Sequence, residues 1–148
     1  MQPLQFPSYN FRLKNKQNKP FIFDLVRKKF VSLTPEEWVR QHVLNYFIQD
    51  KKYPLSHINV EKQIELNGLK KRYDIVIFNT DGSIHILVEC KAPEVKITQN
   101  TFDQIATYNF NLDATFLMVT NGLQHFYCRM LKKEEKYEFL PEIPEFSR

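Results

Sequence analysis

The chain has 148 residues, of which 43% are hydrophobic and 14% aromatic, enough for one domain with a packed core and too much for a disordered protein. Its 21 Lys and Arg against 17 Asp and Glu give +4, a mild lean towards an anionic partner that identifies none. No apolar run reaches the ~18 residues that span a bilayer, Met1 to Lys19 lacks the apolar centre of a signal peptide, and neither Cys90 nor Cys128 has a CxxC partner; a cytoplasmic protein with reduced thiols and no zinc site is expected.

Residues 1–20 contain Pro3, Pro7 and Pro20 and a basic stretch from Arg12 to Lys19, which predicts an extended, poorly anchored arm. Phe21 to Val26 reads as a short strand or turn. Thr34 then suits a helix N-cap, Pro35 the first helical position, and Glu37 the third corner of a capping box. Val39, Val43 and Phe47, flanked by Leu44 and Ile48, repeat at helical spacing to about Gln49.

The period then changes. Ile58, Val60, Ile64 and Leu66 alternate with polar residues up to Asn67-Gly68, a hairpin signal. A second strand runs from about Leu69 to Phe78 and stops at Asp81-Gly82, and a third spans Ser83 to Lys91. Thr98 to Asn111 carries Phe102, Ile105, Ala106 and Asn109 at helical intervals, followed by the apolar run Ala114 to Thr120, a turn at Asn121-Gly122 and a last strand, Gln124 to Met130. The charged, proline-punctuated tail 132–148 reads as a surface extension. The expected organisation is an arm (1–20), one domain (21–131) and an extension (132–148), with the order helix, three antiparallel strands, helix, two strands in an α/β fold whose mixed central sheet is flanked by helices.

Two carboxylates and a lysine stand out. Asp74 on the second strand and Glu89 on the third lie at comparable distances from the Asp81-Gly82 turn, and adjacent antiparallel strands bring such positions side by side. Glu89 and Lys91, two apart, share one side of a strand, while Cys90 points the other way and leaves its carbonyl free for a metal. Phosphodiester hydrolysis needs an activated water and an offset for the charge that builds on phosphate, and a hard divalent cation held by carboxylates supplies both. Asp74 and Glu89 are the expected Mg²⁺ (or Mn²⁺) ligands with Lys91 beside them.

Tyr73-Asp74 followed by Val88-Glu89-Cys90-Lys91-Ala92-Pro93 resembles the PD-(D/E)XK nuclease signature, and most closely the N-terminal nuclease domain of type I restriction enzyme R subunits. The stretches Leu33 to Gln41, Arg72 to Phe78, Tyr108-Asn109 and Val119 to Gly122 resemble that family in the same order. The resemblance implies a restriction-endonuclease-like core, a metal-dependent deoxyribonuclease, and DNA as partner, with a homodimer or restriction-system subunits as further partners. It also implies a carboxylate from the first helix, with Glu36 favoured because Glu37 is occupied by capping, and a QxxxY element at Gln104 and Tyr108 that touches DNA or supports the site. Tyr73 replaces the proline of the signature.

Bland readings stand beside these. Asp74 neighbours Lys70, Lys71 and Arg72 and is open to simple ion pairing, although Arg72 and its neighbours would equally serve a phosphate backbone. The four histidines have no metal-binding spacing, and Trp38 and the phenylalanines are expected in core packing. Without a G-x-x-x-x-G-K loop, neither a nucleotide cofactor nor an ATP-driven motor is expected. The alternative to a nuclease is a non-catalytic module that keeps the fold and binds DNA or a partner subunit.

Overall fold

A computed structural model describes residues 1–148, the side chain of Leu69 excepted. The chain opens with a three-stranded antiparallel sheet of β1 (Leu13–Lys16), β2 (Lys19–Asp24) and β3 (Lys29–Ser32). Gln17 and Asn18 both take positive φ, 53° and 63°, which is the geometry of a two-residue turn matched to strand twist.

Helix α1 (Pro35–Asn45) starts where the local chemistry predicts. Thr34 is extended, its Oγ accepts the Glu37 N–H at 3.1 Å, and Pro35 occupies the first turn, where no amide donor is needed. The capping box is not closed, however. The Glu37 carboxylate accepts from Arg27 at 3.0 Å and from Gln41 at 3.0 Å, and the Thr34 N–H is taken by the Ser32 carbonyl. A charged partner on the preceding loop outbids the backbone amide. Beyond Asn45 the helical path widens into a π turn, Tyr46–Asp50.

A six-stranded mixed sheet follows, in the order β4 (Ile58–Leu66), β5 (Leu69–Phe78), β6 (Ile84–Cys90), β7 (Phe116–Thr120), β8 (His125–Leu131) and β9 (Lys136–Leu140). Asn67 and Gly68 turn β4 into β5 with φ of 51° and 79°. Strands β6 and β7 are parallel, so the chain must cross over, and α2 (Gln99–Asn109) makes that crossing. Every residue of β7 is buried, as expected of a central strand covered on both faces.

The sheet therefore separates two core layers. Val39 and Val43 of α1 and Phe47 of the π turn pack with Ile75, Ile77, Val88 and Met118 on one face. Phe102 and Ala106 of α2 pack with Tyr73, Val76, Leu87 and Leu117 on the other. From α1 to β8 the observed order of helix, three strands, helix and two strands is the one read from sequence, whereas the sheet β1–β3 before it and β9 after it are additions to that order; no helix is long and apolar enough to cross a membrane.

Both chain ends differ from expectation in how firmly they are held. Residues 1–12 are extended yet anchored: the Gln5 N–H donates to Gly122 O at 2.8 Å, Trp38 Nε1 donates to Gln2 O at 2.7 Å, and Tyr9 Oη donates to Asp50 at 3.1 Å. Gly122 suits this point, because its φ of 86° is a backbone conformation that side chains rarely adopt, and a Cβ would also crowd the Leu4 side chain at 2.9 Å. At the other end β9 pairs with β8, Ile143 is wholly buried, and the Phe146 N–H donates to Lys51 O. Proline and charge forbid a helix in such segments without forbidding packing.

Strands β4 and β5 do not keep one face throughout. Ile75 and Ile77 lie in the α1 layer, yet Tyr73, at the same parity, lies in the α2 layer; on β4, Val60 packs in the α1 layer and Ile64 in the α2 layer. The alternation breaks between the pairs Val60↔Ile75 and Lys62↔Tyr73, that is, at Glu61 and Asp74, and Glu61 has φ of 54°. A residue in the left-handed region re-aims the strands as a bulge does.

Candidate active site

Asp74 sits at that kink. Pairing of β5 with β6 runs from Phe78↔Ile84 to Ile75↔Val88, after which β5 stays paired only with β4. The Asp74 carboxylate occupies the place where the two strands part, accepting the Cys90 N–H at 2.8 Å. Its other oxygen lies 3.3 Å from Arg40 Nη2 of α1. The ion pair anticipated with Lys70, Lys71 or Arg72 is made instead with a residue 34 positions away; Lys70 and Arg72 are exposed, and Lys71 pairs with Glu89.

Burial raises the Asp74 carboxyl from its ordinary 3.8 to about 6; the Cys90 N–H and Arg40 oppose this, and the neighbouring charges of Glu89 and Glu36 reinforce it. A carboxyl held near neutrality at a strand junction, close to two other acids, is a marker of functional sites. Glu89 is nearly buried and pairs with Lys71 Nζ at 2.6 Å. The same ammonium lies 4.7 Å from the ring centres of both Tyr73 and Tyr108.

Lys71 was legible only as one of a basic cluster. Its role follows from β5 lying beside β6, with Lys71 on the Tyr73 side of the strand. Tyr73 Oη donates to Asn109 Oδ1 at 2.6 Å, clamping the kinked strand to the end of α2. The residue at the signature's proline position thus carries a buried hydrogen bond that links strand to helix.

Arg40, missed in the sequence, ties the site to the rest of the fold. It approaches Asp74, Glu61 at 3.2 Å, Glu37 at 3.7 Å and Glu36 at 3.9 Å, and its side chain is 7% exposed. The WVRQ stretch of α1 places Val39 in the core and Arg40 at its edge, where the acids of β4 and β5 converge. Arg27 continues the network by bonding Asp24, Glu37 and Glu61.

The remaining candidates are distributed around this centre. Glu36 is 48% exposed and free of capping work, whereas Glu37 is consumed by Arg27 and Gln41. Lys91 follows directly after β6, its N–H donates to Thr120 O, and its side chain has no ion pair among the described residues. Cys90 is buried with its thiol pushed well up by burial, so only its backbone is available to a cation. Tyr108 reaches the site through Lys71, while Gln104 lies one turn back on the exposed face of α2, and Arg72 is exposed on β5. A cavity of about 240 Å³ lined by Ile64, Asn67, Lys71, Tyr73, Tyr108 and Asn111 opens beside Glu89's partner.

Among the described residues no three His, Cys, Asp or Glu side chains converge as a cage. Two hard carboxylates beside a backbone junction still fit Mg²⁺, which takes one or two protein carboxylates and fills its shell with water and substrate phosphate. They would not suit a soft metal, since neither thiol is available.

The family model for the type I restriction enzyme R protein N terminus matches residues 35–144. The chain belongs to this family. The match takes in α1, the six-stranded sheet and α2, and it begins after the three-stranded sheet of β1–β3. A search of curated proteins finds no match.

Proposed function

We propose that this chain is a Mg²⁺- or Mn²⁺-dependent deoxyribonuclease with a PD-(D/E)XK core, acting in a cytoplasmic restriction system. The observation that carries this reading is the position of Asp74, turned into the opening between β5 and β6, bonded to the Cys90 N–H and electrostatically coupled to Glu89. Membership of a restriction-enzyme family favours DNA, and restriction-system subunits, as partners.

In this reading Asp74 and Glu89, with the Cys90 carbonyl, hold the cation, whose chemistry is to acidify water and offset phosphate charge. Lys91 brings an ammonium to the phosphate, and Glu36 orients the attacking water from the first turn of α1. Water adds to phosphorus, the bond to the leaving oxygen breaks, and no covalent intermediate forms. Gln104, Tyr108 and Arg72 contact the DNA strand. Lys71, which now pairs with Glu89 and lies over the rings of Tyr73 and Tyr108, would have to give that carboxylate up to the cation.

One observation favours a second reading. Asp74 and Glu89 are each already paired with a cation of the protein, Arg40 and Lys71, which is what a non-catalytic DNA-binding or subunit-docking module would retain. Incubating purified protein and supercoiled plasmid with Mg²⁺ or Mn²⁺ separates the two. The nuclease nicks the plasmid, and Asp74→Ala abolishes nicking; a folded wild-type protein that leaves every DNA substrate intact with either metal rejects the enzyme.

A further inference from the structure

The net charge of the chain is carried by its first sheet. Residues 12–29 hold seven of the 21 Lys and Arg and one of the 17 acids, so this stretch is +6 and the remainder of the chain −2. Of those seven, Arg27 is spent on the buried network with Asp24 and Glu37. Arg12, Lys14, Lys16, Lys19, Lys28 and Lys29 are exposed, and none forms a salt bridge among the described residues.

Strand register sorts these cations by face. Lys14 lies opposite Phe21, Lys16 opposite Lys19, and Phe23 opposite Phe30, while the Phe23 N–H donates to Arg12 O. Directly opposed residues share a face, so Arg12, Lys14, Lys16 and Lys19 stand on one face with Phe21, Phe23 and Phe30. The other face carries Ile22 and Asp24, both wholly buried. The three phenylalanines are only half-buried and belong to neither core layer. Arg12 lies 4.3 Å from the Phe23 ring centre and Lys14 lies 4.2 Å from that of Phe30.

A face that joins cations without ion pairs to aromatic rings outside both core layers has the chemistry of a single-stranded nucleic-acid platform, in which bases stack on rings while phosphates meet Lys and Arg. Core packing does not account for these rings, and like charges directly opposed at Lys16 and Lys19 disfavour the sheet unless an anion lies between them. Duplex DNA meets the cations equally well but keeps its bases stacked away from the rings. We infer that the outward face of β1–β3 binds single-stranded DNA, its phosphates on Arg12, Lys14, Lys16 and Lys19 and its bases on Phe21, Phe23 and Phe30. The choice of DNA over RNA rests on the function proposed above; the site itself does not. Ion pairs from Arg27 of the β2–β3 loop to Glu61, from Glu61 to Arg40 and from Arg40 to Asp74 run from this sheet to the candidate active site.

The test is fluorescence anisotropy of dye-labelled oligothymidylate with the full chain in EDTA, where no metal-dependent cleavage occurs. Replacing Lys14, Lys16 and Lys19 together with alanine removes three phosphate contacts; affinity at 0.1 M salt should fall on the order of 100-fold and the log–log salt slope become shallower by about 2. Phe23→Leu keeps the volume and should weaken single-strand binding roughly tenfold, the scale of one lost base stack, while leaving duplex binding unchanged. Unchanged affinity in the triple-lysine variant overturns the proposal, as does a duplex that competes as well as the single strand; an oligoribonucleotide that outcompetes DNA overturns the assignment to DNA. Asp74→Ala should bind like wild type, so cleavage that survives a failed binding test, or binding that survives failed cleavage, shows which of the two readings is wrong.

Discussion

Two aspartates, Asp24 wholly buried and Asp74 partly so, each beside an arginine, have opposite fates. Asp24 is wholly buried and accepts from the N–H groups of Val26 and Arg27, from Arg27 Nε and from Gln41 Nε2. Burial pushes its carboxyl up, but these donors and the guanidinium outweigh burial and hold it below the usual carboxylate range. Asp74 has two donors, one of them a long contact to Arg40, and two acidic neighbours; burial wins, and its carboxyl rises to about 6. The acid with a full set of donors stays ionised in the fold, whereas the one with few donors has its charge opposed by burial.

The largest effect expected from breaking this contrast is at Asp24. Asp24→Ala strands Arg27 and Gln41 without their acceptor and should cost about 3–5 kcal/mol, the scale for breaking a buried ion pair, read from chemical denaturation. A loss under 1 kcal/mol would mean, on the scale of exposed pairs, that the network is ornamental.

Asp74→Asn should act the other way. Its ionised form is disfavoured in the fold by about two pKa units, so the amide is expected to stabilise the metal-free protein by roughly 2–3 kcal/mol near pH 8. Under the proposed function Mg²⁺ or Mn²⁺ should raise the melting temperature of the wild type, and the same variant should lose that rise. Destabilisation by the substitution would place Asp74 in the same class as Asp24.

The two acids also predict opposite pH dependences. Because the folded pKa of Asp74 is raised, its favourable contribution is full below its ordinary 3.8 and is lost as pH climbs through about 6. Asp24, with a lowered pKa, contributes above the ordinary carboxylate range and loses that contribution as pH falls. Metal-free stability compared at pH 4.5 and pH 7.5 should differ less in Asp74→Asn than in the wild type; an unchanged difference contradicts the raised carboxyl.

Smaller effects sharpen the picture around the site. Tyr73→Phe leaves Asn109 Oδ1 without its buried donor and should cost about 1–3 kcal/mol in denaturant melts, with cleavage falling in step because the kink loosens. Thr34→Ala removes one helix cap far from the carboxylates and should cost about 1 kcal/mol with turnover per folded molecule unchanged.

Much of the fold was legible because its signals are local. The Thr34-Pro35 start, the Asn67-Gly68 and Asp81-Gly82 turns and the apolar periods of α1, β6 and β7 each act within a few residues, and the structure contains each of them. Residues 1–20, which hold β1 and the start of β2, were read as an arm, Phe21 to Val26 as a short strand or turn, and β9 as part of a surface tail, since Pro20 and the lysines argue against burial and only pairing partners rescue them. Within the site, Asp74, Glu89 and Lys91 could be named from spacing, whereas Arg40 and Lys71 could not. Their partners lie 34 and 18 positions away, and no sequence period links such positions.

The sequence alone determined which residues alternate, where strands and helices begin, and that one aspartate and one glutamate fall near the same level of neighbouring strands. Tertiary structure decided that the strands part at Asp74, that its carboxylate takes an amide the ladder left free, and that an arginine from α1 stands against it. The reason is range: turns and periodicity are set by sterics between near neighbours, while a carboxyl's burial, partners and proton affinity are set by whatever the rest of the chain packs around it.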